Sequence, residues 1–161
     1  TPENAYHYAQ WVGARYREAP NVLWLHGANR PPEFPERQLD FRPTIARLAE
    51  GLADGLNGVD RPDGRAGFAR HFMSYGSLKG APQSSEYFHA APWLAFNSIQ
   101  RWPEEQLPSL ARDWAASPSK PTWVYEGRHE AHSDDSNRPE QWGPWQMRFQ
   151  AWQAAFSGAF G

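Results

Sequence analysis

A carboxylate directly follows a short run of strand-forming residues in the last third of the chain. The run Thr122–Tyr125 is wholly β-branched or aromatic, and Pro121 before it can open a strand but cannot lie inside one. Glu126 therefore stands at the carboxyl end of a predicted strand, where parallel α/β barrels carry their chemistry. Residues 127–132 add a cation, two imidazoles and a second carboxylate. This pattern predicts Glu126 as a catalytic carboxylate, although a solvated loop has a similar composition.

Charge and composition exclude several classes of partner. The 161 residues carry a formal net charge of −2, with acidic and basic residues interspersed, so no nucleic-acid surface is predicted. No apolar run approaches the length of a membrane span. Cysteine is absent, which excludes disulfides and thiolate metal ligands. Nine Trp, nine Phe and six Tyr supply flat faces suited to a core, an interface or a cleft in which sugar rings stack.

Helical and strand patterns alternate along a chain whose length predicts one domain, residues 1–161. Apolar residues at helical spacing predict four helices: 5–16, 45–52, 107–114, which Pro108 opens, and 144–156. Short apolar runs predict four strands: 21–26, 71–75, 93–100 and 121–126. Residues 93–100 also fit a turn of helix that runs into a strand. The order of these elements is typical of parallel βα units.

The predicted units are too few for a complete barrel. A closed (β/α) barrel has eight strands and usually about 250 residues, whereas this sequence predicts four strands. We therefore expect the fold class to be α/β, a parallel barrel of TIM type that is only partly present. A small open sheet of four parallel strands with helices on both faces fits the same pattern, and periodicity does not separate the two.

Two motifs are the most specific in the chain, the sequence SSEYFH at 84–89 combined with FNSIQ at 96–100. They resemble segments of one family, the apiosidase-like glycoside hydrolases. Residues 14–24, 120–126 and 151–161 also resemble family segments, so the resemblance runs nearly from end to end. It implies that the four predicted strands are the fourth to seventh of a TIM-type barrel, with strands one to three before Thr1 and strand eight after Gly161.

The resemblance also implies a location and a set of partners. Open barrel edges would be covered either by an oligomeric partner or by further segments of a longer chain. The ligand would be a carbohydrate, with no cofactor. A secreted or periplasmic location follows from the resemblance alone.

Members of this family cleave glycosidic bonds of plant polysaccharides, using one carboxylate as acid/base and another as nucleophile. Glu126 matches the nucleophile position, although the usual Gly-Glu-Pro reads Tyr-Glu-Gly here. Asn29 stands where the family typically has the acid/base aspartate. An amide cannot release a proton at neutral pH, and such acid help is worth about a hundredfold to ten-thousandfold. The alternative to a hydrolase is therefore a catalytically impaired carbohydrate-binding or structural remnant, or a fragment that is inactive without its other strands.

Further candidates surround these two positions. A glycosidase needs a second carboxyl group about 5 to 9.5 Å from the first, and Glu86 and Glu130 are predicted for this role. Arg30 could bind an acidic sugar or pair with Glu33 or Asp40. The histidines match no metal-ligand spacing, so we predict no metal site. The predicted substrate contacts are His26, Arg30, Tyr75, His89, Trp93, Gln100, Tyr125 and His132.

Overall fold

A computed structural model describes residues 1–27, 29–131 and 142–160. Five helices lie in these ranges: α1 (Pro2–Arg15), α2 (Arg42–Asn57), α3 (Ser84–Phe88), α4 (Pro103–Ala115) and α5 (Pro144–Phe156). The strands there are β1 (Trp24–His26), β2 (Glu33–Phe34), β3 (Leu39–Asp40), β4 (Met73–Tyr75), β5 (Asn97–Gln100) and β6 (Thr122–Glu126). None of these helices is long and apolar enough to cross a membrane.

Four of the strands are parallel and alternate with helices. β1 pairs with β4, with His26 opposite Tyr75, and β5 pairs with β6, with Asn97 opposite Thr122. β2 and β3 form a short antiparallel hairpin inside the loop after β1. The parallel βα order predicted from the sequence is therefore present.

Serine hydroxyls join the two parallel pairs between β4 and β5. Ser74 Oγ donates to the Phe96 carbonyl at 2.7 Å, and Ser98 Oγ donates to the Tyr75 carbonyl. One backbone bond, from Ala95 N to Met73 O at 2.9 Å, lies beside them. We call this junction the serine seam. It aligns β1, β4, β5 and β6 so that all four carboxyl ends lie at one edge.

The helices α1 and α2 cover the outer face of the β1–β4 pair. Ala9 of α1 and Leu52 of α2 belong to the buried cluster that also contains Met73 and Leu94. On the free side of β6, Phe160 pairs with this strand in parallel. The Phe160 N–H donates to Thr122 O at 3.0 Å, and its carbonyl accepts from Val124 N at 3.0 Å. A further parallel position therefore begins beside β6.

Several elements differ from the predictions, including the β2–β3 hairpin, for which no strands were predicted. α4 begins at Pro103 rather than Pro108, because Pro103 takes the first helical position with Glu104 in the first turn. Pro108 lies inside the helix. Residues 93–96 form a turn that leads into β5, and the SSEYFH motif contains α3, for which no helix was predicted.

The serine seam should contribute measurably to stability. Ser98→Ala removes the donor to the Tyr75 carbonyl and leaves that buried group unpaired, so the free energy of unfolding should fall by about 1 to 3 kcal/mol. Chemical denaturation of the wild type and the variant measures this difference. Ser119→Ala, at an exposed position, is the matched control and should change stability by less than about 0.5 kcal/mol. Equal effects of the two substitutions would contradict the role of the seam.

Candidate active site

Glu126 ends β6 at a register shift. Ile99 pairs with Val124 but Gln100 pairs with Glu126, so Tyr125 is an extra residue in β6. Side chains alternate between the two faces of a strand, and a bulge reverses that alternation. Val124 faces the helices, where it lines a small cavity of about 170 Å³ with Met147 and Gln150. Without the bulge Glu126 would lie on this same helix-facing side; the bulge aligns it instead with Gln100.

A histidine holds one oxygen of Glu126. His129 Nε2 lies 3.1 Å from Glu126 Oε1, and the Glu126 side chain is 28% exposed. Within the described ranges Glu126 Oε2 has no hydrogen-bond partner. The carboxylate is thus held through one oxygen, while the other is left for a further contact.

Two predicted substrate contacts, Gln100 and Tyr125, lie beside Glu126. The Tyr125 hydroxyl donates to the Ser77 carbonyl and lies 3.3 Å from Gln100 Oε1. Burial, followed by the charge of Glu126, raises the pKa of Tyr125 to about 12. Tyr125 therefore keeps its proton at neutral pH. The structure brings together the carboxyl ends of β5 and β6 in this way.

Cations and indole rings alternate along the loops that surround Glu126. Lys79 Nζ lies 3.1 Å and Arg128 Cζ 3.7 Å from the centroid of the Trp102 ring. Two cations so close to one centroid must occupy opposite faces, because on one face they would overlap. Arg128 also lies 4.7 Å from the Trp142 ring. This cation–aromatic ladder joins the loops after β4, β5 and β6.

The loop after β6 is also held by α5. The Gln150 amide accepts a hydrogen bond from Arg128 N at 3.1 Å and donates one to Arg128 O at 2.9 Å. The Arg128 guanidinium lies 3.5 Å from Glu104 at the start of α4. Backbone and side chain of Arg128 are therefore both anchored, two residues after Glu126.

Asn29 and Arg30 lie in the loop after β1, at the same edge of the sheet. Asn29 has a left-handed conformation, with φ of 49°, and is exposed. Gly27, with φ of 80°, is required there, because a Cβ would lie 2.5 Å from Tyr75 Cε2. Arg30 is exposed and its carbonyl accepts from Tyr75 Oη at 2.6 Å. Asn29 is thus presented to solvent at the edge that carries Glu126.

Arg30 does not pair with Glu33 or Asp40, the two carboxylates considered as its partners from the sequence. Glu33 and Asp40 pair instead with Arg42, at 3.2 and 2.9 Å. Arg30 borders a cavity of about 360 Å³ next to Asn29, whose wall includes Phe34 and Phe41. An aromatic cavity with one cation at its rim suits a sugar ring.

His89 lies at the opposite edge of the sheet. Its Nε2 is 2.8 Å from the Pro118 carbonyl and its Nδ1 is 3.2 Å from Asn97 Oδ1. Both partners precede or open strands, at their amino ends. Lys120 Nζ also donates to the His89 carbonyl at 2.7 Å. These contacts tie α3 to the amino end of the sheet, and the structure does not bring His89 to Glu126.

Three other predicted contacts lie in the core. Tyr75 and Trp93 are 2% and 4% exposed. The His26 ring meets the edge of Trp93, with centroids 5.5 Å apart, and its Nε2 is buried with no partner in the described ranges. Burial lowers the pKa of His26 to about 4. His26 is therefore a neutral core histidine at neutral pH.

The two predicted carboxylate partners of Glu126 lie in α3 and in the turn after β6. Glu86 Oε1 accepts from Gln83 N at 2.7 Å and pairs with Arg112 at 3.1 Å, which stabilises the start of α3. Glu130 is exposed in the turn after Glu126. His132 lies outside the described residues. In the described ranges, no group of three or more histidine, aspartate or glutamate residues could hold a metal ion.

Sequence reasoning missed four residues that surround Glu126. His129 could have been found from its position three residues after the strand-end carboxylate. Arg128 stood in the same polar stretch. Trp102 and Gln150 carry no local signal, because their contacts span 26 and 22 positions of the chain.

Solved structures show the fold of this chain. A glycoside hydrolase family 5 protein from Bacteroides vulgatus matches with a TM-score of 0.78 at 20% identity, over 100% of this chain and 35% of that one. A second structure, a glycoside hydrolase, matches with a TM-score of 0.72 at 22% identity, over 100% of this chain and 37% of that one. The chain spans about a third of each. It therefore has the fold of part of a parallel (β/α) barrel of TIM type, as predicted.

The family follows from a sequence comparison. The model of the apiosidase-like catalytic domain matches residues 1–161. The chain belongs to this family and is a glycoside hydrolase-like domain, which confirms the resemblance seen in the sequence. None of the curated proteins compared with the chain matches it.

The buried His26 predicts a specific loss of stability in acid. Its pKa is about 4 in the folded protein and about 6.5 in an unfolded chain, so the unfolded state alone gains a proton between these values. Stability is unaffected above pH 6.5 and falls as the pH drops towards 4, by about 2 to 3 kcal/mol at about pH 4.5. Urea denaturation at about pH 7.5 and 4.5 measures this loss.

The pH dependence should be smaller in His26→Met, because that variant has no titrating group at this site. His7→Met, at an exposed position, is the control and should retain the wild-type pH dependence. If the free energy of unfolding of His26→Met fell between about pH 7.5 and 4.5 as much as that of the wild type, the assignment of a neutral, buried His26 would be contradicted.

Proposed function

We propose that this domain hydrolyses a glycosidic bond of a plant-type polysaccharide or oligosaccharide, with Glu126 as the nucleophile. The observation that carries the proposal is the bulge that aligns Glu126 with Gln100, together with the hydrogen bond from His129. Glu126 Oε2 attacks the anomeric carbon while the bond from that carbon to the leaving oxygen breaks. The leaving oxygen takes a proton from water, which leaves hydroxide. A second water then attacks the anomeric carbon of the glycosyl–enzyme ester, gives a proton to that hydroxide and releases the free carboxylate.

The neighbouring groups support substrate binding in this proposal. Gln100 can exchange hydrogen bonds with sugar hydroxyls, and Arg30 borders the aromatic cavity next to Asn29. Arg30 would favour a sugar that carries a carboxylate. Glu86 and His89 have no part in it, since their polar atoms stabilise α3.

The exposed faces of the domain bear on how its function should be measured. Leu23 of the segment before β1 and Phe160 beside β6 are 51% and 41% exposed. We propose that further barrel strands, from the same chain or from a partner, cover these edges. Assays of activity therefore use the natural full-length protein.

Glu126→Gln tests the nucleophile directly. The amide retains the shape but cannot attack the sugar, so release of reducing sugar should fall by about a thousandfold or more. A screen of plant oligosaccharides with a reducing-sugar assay measures the release. Glu18→Gln, an exposed carboxylate after α1, is the matched control and should keep most of the activity. Full activity in Glu126→Gln would contradict the proposal.

A second candidate function is favoured by Asn29. With an amide at the expected acid/base position, the domain could bind carbohydrate with little or no turnover. Calorimetry that detects binding of an oligosaccharide, without product after long incubation, would favour this remnant over the hydrolase.

Asn29→Asp distinguishes the two functions. Asparagine and aspartate both tolerate the left-handed conformation of position 29, so the fold should persist. A carboxyl group there could protonate the leaving oxygen, and the rate should rise by about a hundredfold to ten-thousandfold. Reducing-sugar release by Asn29→Asp, and its loss in Asn29→Asp with Glu126→Gln, measures the effect. No gain in rate would contradict the idea that position 29 limits the chemistry.

A further inference from the structure

We infer that Gln150 and Arg128 are positioning residues that orient Glu126 through the loop 127–129. The inference rests on the proposed role of Glu126. Neither residue touches the carboxylate. Gln150 contacts the backbone of the segment that follows Glu126, and Arg128 belongs to that segment and pairs through its side chain with Glu104. The orientation of a nucleophile within about 1 Å determines its rate, so such contacts bear on turnover.

The Gln150 side-chain amide hydrogen-bonds to the loop through both its oxygen and its nitrogen. It accepts from Arg128 N at 3.1 Å and donates to Arg128 O at 2.9 Å. Two opposed hydrogen bonds from one planar group fix both the distance and the direction of the peptide segment. Because Gln150 projects from α5, the loop takes its position from a helix and not from its own residues.

Gly127 has no side chain, which leaves room for the Gln150 amide to reach Arg128. A Cβ at Gly127 would lie 2.6 Å from Gln150 Oε1 and 3.1 Å from its Cδ. Any larger residue would push the Gln150 amide away from Arg128. The close approach of α5 to Gly127 therefore depends both on the absence of a side chain at Gly127 and on the Gln150 amide.

The Arg128 side chain anchors the loop from the other side. Its guanidinium stacks on Trp102 at 3.7 Å and pairs with Glu104 at 3.5 Å, and its side chain is 17% exposed. Its Nε is buried with no hydrogen-bond partner in the described ranges, so ring stacking is the contact that holds that part of the group. The carboxyl end of β5 and the start of α4 thus fix Arg128, while α5 fixes its backbone.

These contacts fix the residues on both sides of Gly127. Glu126 is held by pairing with β5, and Arg128 by Gln150 and Trp102. Gly127 lies between Glu126 and Arg128. His129 follows Arg128, and its Nε2 lies 3.1 Å from Glu126 Oε1. Loss of either anchor should allow Glu126 Oε2 to shift without altering the groups that bind the sugar.

Gln150→Ala is the first test, measured in the full-length protein with the substrate found in the oligosaccharide screen. The expected result is a fall in kcat of about tenfold to a hundredfold, with KM within about threefold of wild type. The matched control is Gln10→Ala on α1. Gln10 donates one hydrogen bond to the Val59 carbonyl at 3.2 Å, in the segment after α2. Its loss should cost similar stability and leave kcat near wild type.

A double-mutant cycle separates positioning from general destabilisation. Gly127→Ala should lower kcat in the wild type because it displaces the Gln150 amide. In the Gln150→Ala background the added methyl group meets no amide, so it should have little further effect. Additive losses of kcat would overturn the inference.

Hydrogen exchange gives a readout that needs no activity. The Arg128 amide should exchange at least about tenfold faster in Gln150→Ala, and at the wild-type rate in Gln10→Ala. If Glu126→Gln keeps full turnover, the nucleophile assignment fails. If Glu126→Gln is inactive while Gln150→Ala matches Gln10→Ala in kcat and in exchange, the positioning inference alone fails.

Discussion

The alignment of four parallel strands depends on the satisfaction of buried backbone groups at the serine seam. Between β4 and β5 one backbone hydrogen bond is supplemented by two hydroxyl donors, Ser74 and Ser98, that reach carbonyls of the neighbouring strand. An unpaired buried carbonyl costs about 1 to 3 kcal/mol, so these small side chains help to hold the two strand pairs side by side. Because the seam holds them, the carboxyl ends of β1, β4, β5 and β6 share one edge, and the candidate site lies at that edge.

Within that edge the direction of Glu126 depends on a local change of register. The strand alternation alone would place Glu126 with Val124, against the helices, where a carboxylate would be desolvated. The extra residue Tyr125 turns the Glu126 side chain to the other face of the strand. The Tyr125 hydroxyl donates a hydrogen bond to the Ser77 carbonyl in the loop after β4. The bulge is thus supported by a contact to another strand end. Parallel alignment provides the edge, and the bulge provides the direction.

The sequence predicted much of the fold because periodicity is a local signal. The helices α1, α2 and α5 and the strands at β1, β4 and β6 followed from apolar spacing, and Glu126 followed from its place after a strand. Positions that depend on distant contacts did not follow. Tyr75 and His89 looked like cleft residues, but a tyrosine at a strand end serves equally to hold the Arg30 carbonyl, and His89 joins the amino ends of two strands. Trp102, Arg128 and Gln150 act across loops whose spatial proximity exists only in the folded chain.

The proposed nucleophile and the expected acid/base position differ in how the fold constrains them. Glu126 is held by strand pairing, by His129 and, through the next residues, by α5 and Trp102. Asn29 occupies an exposed left-handed turn whose geometry depends on Gly27 and Tyr75 rather than on its own side chain. An amide and a carboxylate fit that turn almost equally. The chemistry at position 29 can therefore change without a cost to the fold, and a barrel can keep its nucleophile position intact while its proton donor is altered.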